Sequence, residues 1–162
     1  MAYTKGSRRS RQRGNAMLEG ALALPPLLML LFATIDFSIA ILVKNTVQAS
    51  VREGVRYAVT GQTVNGLGQD ASIRTVVENN SLGFLNSSNG DNLISITYYN
   101  PSSLQAVTGL GSNAPGNIVQ VQVTGLSWLW MVPYGRSATP LQISATSSDI
   151  IEPNSTGIPP PR

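Results

Sequence analysis

A chain of 162 residues with 15 Gly, 10 Pro, no Cys and no His carries a formal charge of +3, enough for one modest core with extras. Without Cys or His it has no thiolate nucleophile, no imidazole base, no disulfide framework and no zinc site of the usual ligand types. No Gly-rich phosphate loop, paired-carboxylate constellation or Ser-Lys arrangement stands out, so the chain reads as a non-enzyme with no cofactor, no metal and no small-molecule substrate.

Lys5, Arg8, Arg9, Arg11 and Arg13 put five positive charges and no negative one into the first 13 residues. From Gly14 onward six basic residues stand against eight acidic ones, a balance of −2. The basic character belongs to a short N-terminal tag, and no nucleic-acid partner is expected.

The next segment runs from Ala21 to Val43, 23 residues whose only ionisable member is Asp36. A bilayer core of about 30 Å takes roughly 20 helical residues, so the run is long enough to span lipid. The basic tag before it, against Lys44 after it, places the N-terminus in the cytoplasm. A cleavable secretory signal is the rival, but the apolar run is too long for one and is followed by further helix. Val47, Val51, Val55 and Ala58 recur at helical spacing, which extends the helix to about residue 60, where Gly61 is a plausible stop. Pro25 and Pro26 lie inside it and each removes a backbone donor, so a kink or melted turn is expected, either tolerated by neighbours or used as a hinge.

Beyond the helix, few charges and many Ser, Thr, Asn and Gly suit an exported domain. Asp70 is placed to cap a short helix over 71–80, with Ile73, Val76 and Val77 on one face. Residues 93–99 alternate through Ile94, Ile96 and Tyr98, residues 117–124 through Val119, Val121 and Val123, and residues 141–146 through Leu141, Ile143 and Ala145, giving three strands. The loop 101–116 between the first two is longer than a hairpin needs, which marks it as functional or mobile. The aromatic segment Trp128, Leu129, Trp130 reads either as core cover or as an exposed docking patch. The tail 153–162 is Pro-rich and expected to be disordered.

The most informative stretch is Arg13, Gly14, Asn15, Ala16, Met17, Leu18, Glu19. A basic leader, a Gly and a lone Glu five residues on, at the head of a spanning helix, resemble the processing site of type IV prepilins. That resemblance implies cutting by prepilin peptidase between Gly14 and Asn15 on the cytoplasmic side. Physically, Gly14 lets an extended backbone enter a protease cleft closely. Glu19 is costly at the edge of hydrocarbon unless paired, and the ammonium freed on Asn15 is a natural partner, although a carboxylate that merely marks the boundary is the plainer reading.

The pattern continues past the junction. Glu19, Leu24 with Pro25, Asp36 with Phe37, and the block Arg52, Glu53, Gly54, Arg56, Tyr57 and Ala58 resemble the TadE-like proteins, pseudopilins of the tight adherence (Flp, type IVc) pilus system, over roughly residues 13 to 60. Pro26 doubles the usual single proline, and the C-terminal region matches only in layout. The resemblance implies a minor pilin or pseudopilin, a single-pass protein of the bacterial inner membrane with a periplasmic C-terminal domain. Its partners would be prepilin peptidase, membrane lipid, other pilins or pseudopilins and the inner-membrane assembly platform. Asp36, Arg52, Glu53, Gly54, Arg56 and Tyr57 are candidate subunit contacts; the plainer readings are a boundary position for Asp36 and a solvated face for the block. An uncleaved signal-anchored protein presenting a binding or adhesin module is the alternative.

The expected architecture is α+β: a basic leader 1–14, a transmembrane stem helix 15–60, and a small periplasmic domain 61–152 with one short helix and about three antiparallel strands.

Overall fold

The computed structural model describes residues 8–64, 66–86, 90–130, 140–153 and 158–162, with backbone alone for 8–14 and 91. Helix α1 (Arg8–Val59) is followed by α2 (Gln69–Asn79), a single turn α3 (Gly90–Leu93), and strands β1 (Ile94–Tyr99), β2 (Ala106–Val107), β3 (Ile118–Trp128) and β4 (Leu141–Ile150). The strands form one antiparallel sheet in the order β2-β1-β3-β4.

The α+β expectation holds, with a fourth strand added. All three expected strands form, and two of them run further than their alternation reaches. β2 is a two-residue strand inside the long loop, pairing Val107 with Tyr98 and Ala106 with Tyr99. The loop is therefore partly folded onto the sheet edge.

One face of the sheet is the core. Ile94 and Tyr98 of β1, Val119, Val121 and Val123 of β3, and Ile143 and Ala145 of β4 are buried against Val43, Val47, Val51, Val55 and Ala58 of α1. The four-residue spacing of those valines is what lays a continuous apolar stripe along one side of the helix. Ile73 and Val77 of α2 close the core at the upper end of α1. The expected boundary at residue 60 therefore cuts through a single core: the upper half of the stem belongs to the domain.

β3 carries one irregularity that decides where its end points. Val123 pairs with Ala145, and the next inward pair is Leu126 with Ile143, so β3 contains one residue more than β4 over the same span. Gly125, at φ +83°, sits in this bulge, a conformation that costs an L-residue about 1–2 kcal/mol. Regular alternation after Val123 would turn Leu126 and Trp128 to the outer face. The bulge instead returns both to the inner face, where they pack on the core.

Three contacts fix the β3–β4 ribbon along α1. Trp128 Nε1 donates to Asp36 Oδ1 at 3.2 Å, Gln48 Nε2 to the Thr146 carbonyl at 3.0 Å, and the Glu152 amide to the Val59 carbonyl at 3.2 Å. β4 thus runs beside α1 in the same direction, with Leu141 at the Asp36 end.

Two expectations are corrected. Asp70 does not cap α2: Gly68 is the N-cap residue and no side chain caps this end, because the Asp70 carboxylate is held elsewhere. The Pro-rich tail, expected to be disordered, instead lies over residues 158–162 against α2 and the 109–113 turn. The amide of Gln69 donates to the Pro161 carbonyl at 2.7 Å, and Asn113 Nδ2 donates to the Pro160 carbonyl at 2.8 Å.

Candidate functional site

The stem carries most of the residues singled out in the sequence. Gly14 and Asn15 both lie within α1, which begins at Arg8. Apolar, helix-forming residues downstream propagate the helix back through the junction, so the extended entry of Gly14 into a protease would need a local unwinding of this turn. Pro25 and Pro26 are inside the same continuous helix.

Residues 15–35 are exposed without exception, among them Met17, Leu18, Glu19, Leu22, Leu27 and Leu31. A helix with apolar side chains all round, and no protein covering them, is suited to lipid or to packing with other such helices. At Asp36 the environment changes. Asp36 is 1 % exposed, and from there Ala40, Val43 and Val47 are buried against the domain while Phe37, Ile41 and Leu42 face outward. The run from Ala21 to Val43 therefore divides at Asp36: below it the helix is bare, and above it the domain covers a single side.

Asp36, whose place in the sequence suggests a boundary position cheap for a carboxylate, is not left solvated there. The structure buries it beneath Trp128, whose indole N–H supplies a hydrogen bond. A buried carboxylate needs such partners, since an unpaired one is costly. Of the two readings of the aromatic segment, core cover describes Trp128, while Leu129 is 63 % exposed and Trp130 half-buried.

The block after the span has a divided role. Gly54 is buried at the crossing of α1 and α2, where a Cβ would collide with Val77 Cγ2; glycine is what allows the two helices to approach. Tyr57 is half-buried at the margin of the core. Arg52, Glu53 and Arg56 are exposed. Arg52 and Arg56 form one wall of a groove of about 420 Å³, with Ser147, Ser148, Asp149 and Glu152 on the other and Val55 and Val59 at its base. This groove lies some 25 Å up the helix from Asp36, at about 1.5 Å per residue. Glu19 lies a similar distance below Asp36, so the stem residues form three separate stations rather than one centre.

A fourth cluster joins segments of the chain that nothing in the sequence links. Tyr98 Oη donates to Asp70 Oδ1 at 2.7 Å, and Arg162 reaches Asp70 Oδ2 through Nη2 at 2.6 Å and Nε at 3.0 Å. The Arg162 guanidinium also lies 4.9 Å from the centre of the Tyr98 ring and donates to Ser112 Oγ at 2.7 Å. Burial, then the Asp70 hydrogen bond and charge, hold the Tyr98 phenol well above its ordinary pKa, while the nearby guanidinium pulls the other way. The cluster clamps the tail; among the described residues no group of three acidic side chains is placed to hold a metal.

Neither a curated protein nor a solved structure matches the chain. The model of the TadE-like protein family matches residues 14–56, a segment that starts at Gly14, takes in the bare lower stem and Asp36, and ends at Arg56, linking this chain to the pilin-like proteins associated with Tad pili.

Proposed function

We infer that this chain is a minor pilin or pseudopilin of a tight adherence (Flp, type IVc) pilus, a structural component of surface adhesion rather than an enzyme. Prepilin peptidase cuts it between Gly14 and Asn15. The bare stem, residues 15–35, anchors it in the inner membrane with its N-terminus cytoplasmic and its domain periplasmic. On joining the assembly, the same apolar stem packs with those of other pilins at the assembly platform. The observation that carries this reading is the family match beginning at Gly14, where the basic leader ends.

Glu19 is the residue to which the new Asn15 ammonium is paired, in its own chain or a neighbour's. In apolar surroundings the pair is favoured and each member alone is costly. Of the candidate subunit contacts, Asp36 and Gly54 already have partners within the chain, which leaves Arg52, Glu53, Arg56 and the exposed edge of Tyr57 to meet another subunit.

Mass spectrometry of the protein from native membranes tests the reading. Cells with active prepilin peptidase should yield a chain starting at Asn15, and Gly14→Ala should retain the leader. Glu19→Ala should be cut normally and yet fail to support piliation. A chain starting at Met1 in peptidase-active cells overturns the proposal.

A further inference from the structure

The stem enters lipid, on the reading above, through residues 15–35: 21 residues that rise about 31 Å as a helix, against a hydrocarbon core of about 30 Å. That arithmetic puts the upper edge of the hydrocarbon at Asp36. The ribbon of β3 and β4 arrives at the same level, because Trp128 Nε1 is bonded to Asp36 Oδ1.

The ribbon also reaches further down than the rest of the sheet. β1 accompanies β3 only as far as Val123, and from Leu126 to Trp128 the only strand paired with β3 among the described residues is β4. At its end stand Trp128, with its indole N–H satisfied by Asp36, then Leu129, 63 % exposed, and Trp130, half-buried. On the outward side of α1, Phe37, Ile41 and Leu42 are exposed, all within about 9 Å above Asp36. Indole rings favour the layer of headgroups and upper acyl chains, which adds about 5–8 Å on each side of the hydrocarbon.

We propose that the end of β3, with the indoles of Trp128 and Trp130 and the side chain of Leu129, is a second membrane contact seated in the periplasmic interface of the bilayer that holds the stem. The occupant of this surface is lipid, because the patch continues the exposed apolar surface of the stem at the level where the stem leaves hydrocarbon. The domain is then held at two points, which fixes its tilt against the membrane before any assembly begins. This contact rests on the membrane reading of residues 15–35.

The chain has two tryptophans, both in this patch, so its indole emission reports the proposed contact alone. The full chain is reconstituted into vesicles of phosphatidylcholine and phosphatidylglycerol, with or without acyl chains brominated close to the headgroup. Emission should fall roughly twofold with the brominated lipid, as for an interfacial indole, and should resist aqueous iodide. Trp128→Phe, which leaves Trp130, and Trp130→Phe, which leaves Trp128, should both keep the quenching. Emission quenched by iodide and untouched by brominated lipid overturns the proposal. Emission insensitive to both, but altered by dilution of the protein in lipid, overturns it in favour of contact with a second copy. Leu27→Trp in a chain carrying both Phe substitutions reports the stem, and should be quenched by chains brominated near their methyl ends. If that control is quenched and the native indoles are not, the contact alone fails; if neither is quenched, the membrane reading fails with it.

Discussion

Trp128 and Asp36, 92 positions apart in the chain, are joined by a hydrogen bond of 3.2 Å at the lower end of the core. Trp128→Phe keeps most of the ring but takes a donor away from the buried Asp36 carboxylate, and should lower stability by about 1.5–3 kcal/mol. Asp36→Ala removes the buried charge itself and leaves only the neutral indole N–H of a half-buried ring without its acceptor, so it should cost less, and the double variant should cost less than the two single effects added. Denaturant titration of the full chain in detergent micelles measures all three.

Gly125 sets which way Trp128 faces. Gly125→Val places a β-branched residue at φ +83°, where it is strained, and should lower stability by about 1–3 kcal/mol. Where the ladder relaxes to regular alternation, Leu126 and Trp128 turn outward. A red-shifted tryptophan emission in micelles, accompanying the lower midpoint, is the expected result.

Gly54→Ala and Gly20→Ala separate packing from helix propensity. Each exchange gains about 1 kcal/mol of intrinsic helix preference. At Gly54 the new methyl meets Val77, whereas nothing lies within 4 Å of a Cβ at Gly20. Gly54→Ala should therefore be net destabilising by about 1–2 kcal/mol, and Gly20→Ala neutral or mildly stabilising, as read from melting temperatures.

Tyr98 makes stability depend on alkaline pH. In the unfolded chain its phenol ionises near pH 10; in the folded chain burial and Asp70 keep it protonated beyond that. Above about pH 10 the unfolded state thus binds fewer protons than the folded one, and stability falls with rising pH by up to about 1.4 kcal/mol per unit. Below pH 10 this contribution is fully present. Tyr98→Phe should reduce the alkaline slope measured by urea titration between pH 8 and 11, while also losing the hydrogen bond to Asp70 at neutral pH.

The stem and the strand cores are legible in the sequence because both follow a short period. Val47, Val51, Val55 and Ala58 mark one helical face, and Val119, Val121 and Val123 one face of a strand, and each set is buried together. β3 is legible only to Thr124, since the bulge at Gly125 breaks the two-residue period while the strand continues to Trp128. Gly54 is readable as a site of close helix approach, although its neighbour, Val77, is not. The Asp70, Tyr98 and Arg162 cluster leaves no local trace: its members lie in three separate segments, and proline content alone points to a solvated tail. Asp36 stands out as the one charge in an apolar run, but its burial depends on a partner supplied from the far end of the chain.

The valines at 43, 47, 51 and 55 have a mechanical consequence. A large share of the domain's apolar core is carried by the stem, so head and anchor have no joint between them above Asp36. Any machinery that draws the stem out of lipid lifts the sheet as one rigid handle. The give in such a handle is left to the bare segment below, where Pro25 and Pro26 leave the carbonyls of Ala21 and Leu22 without helical donors.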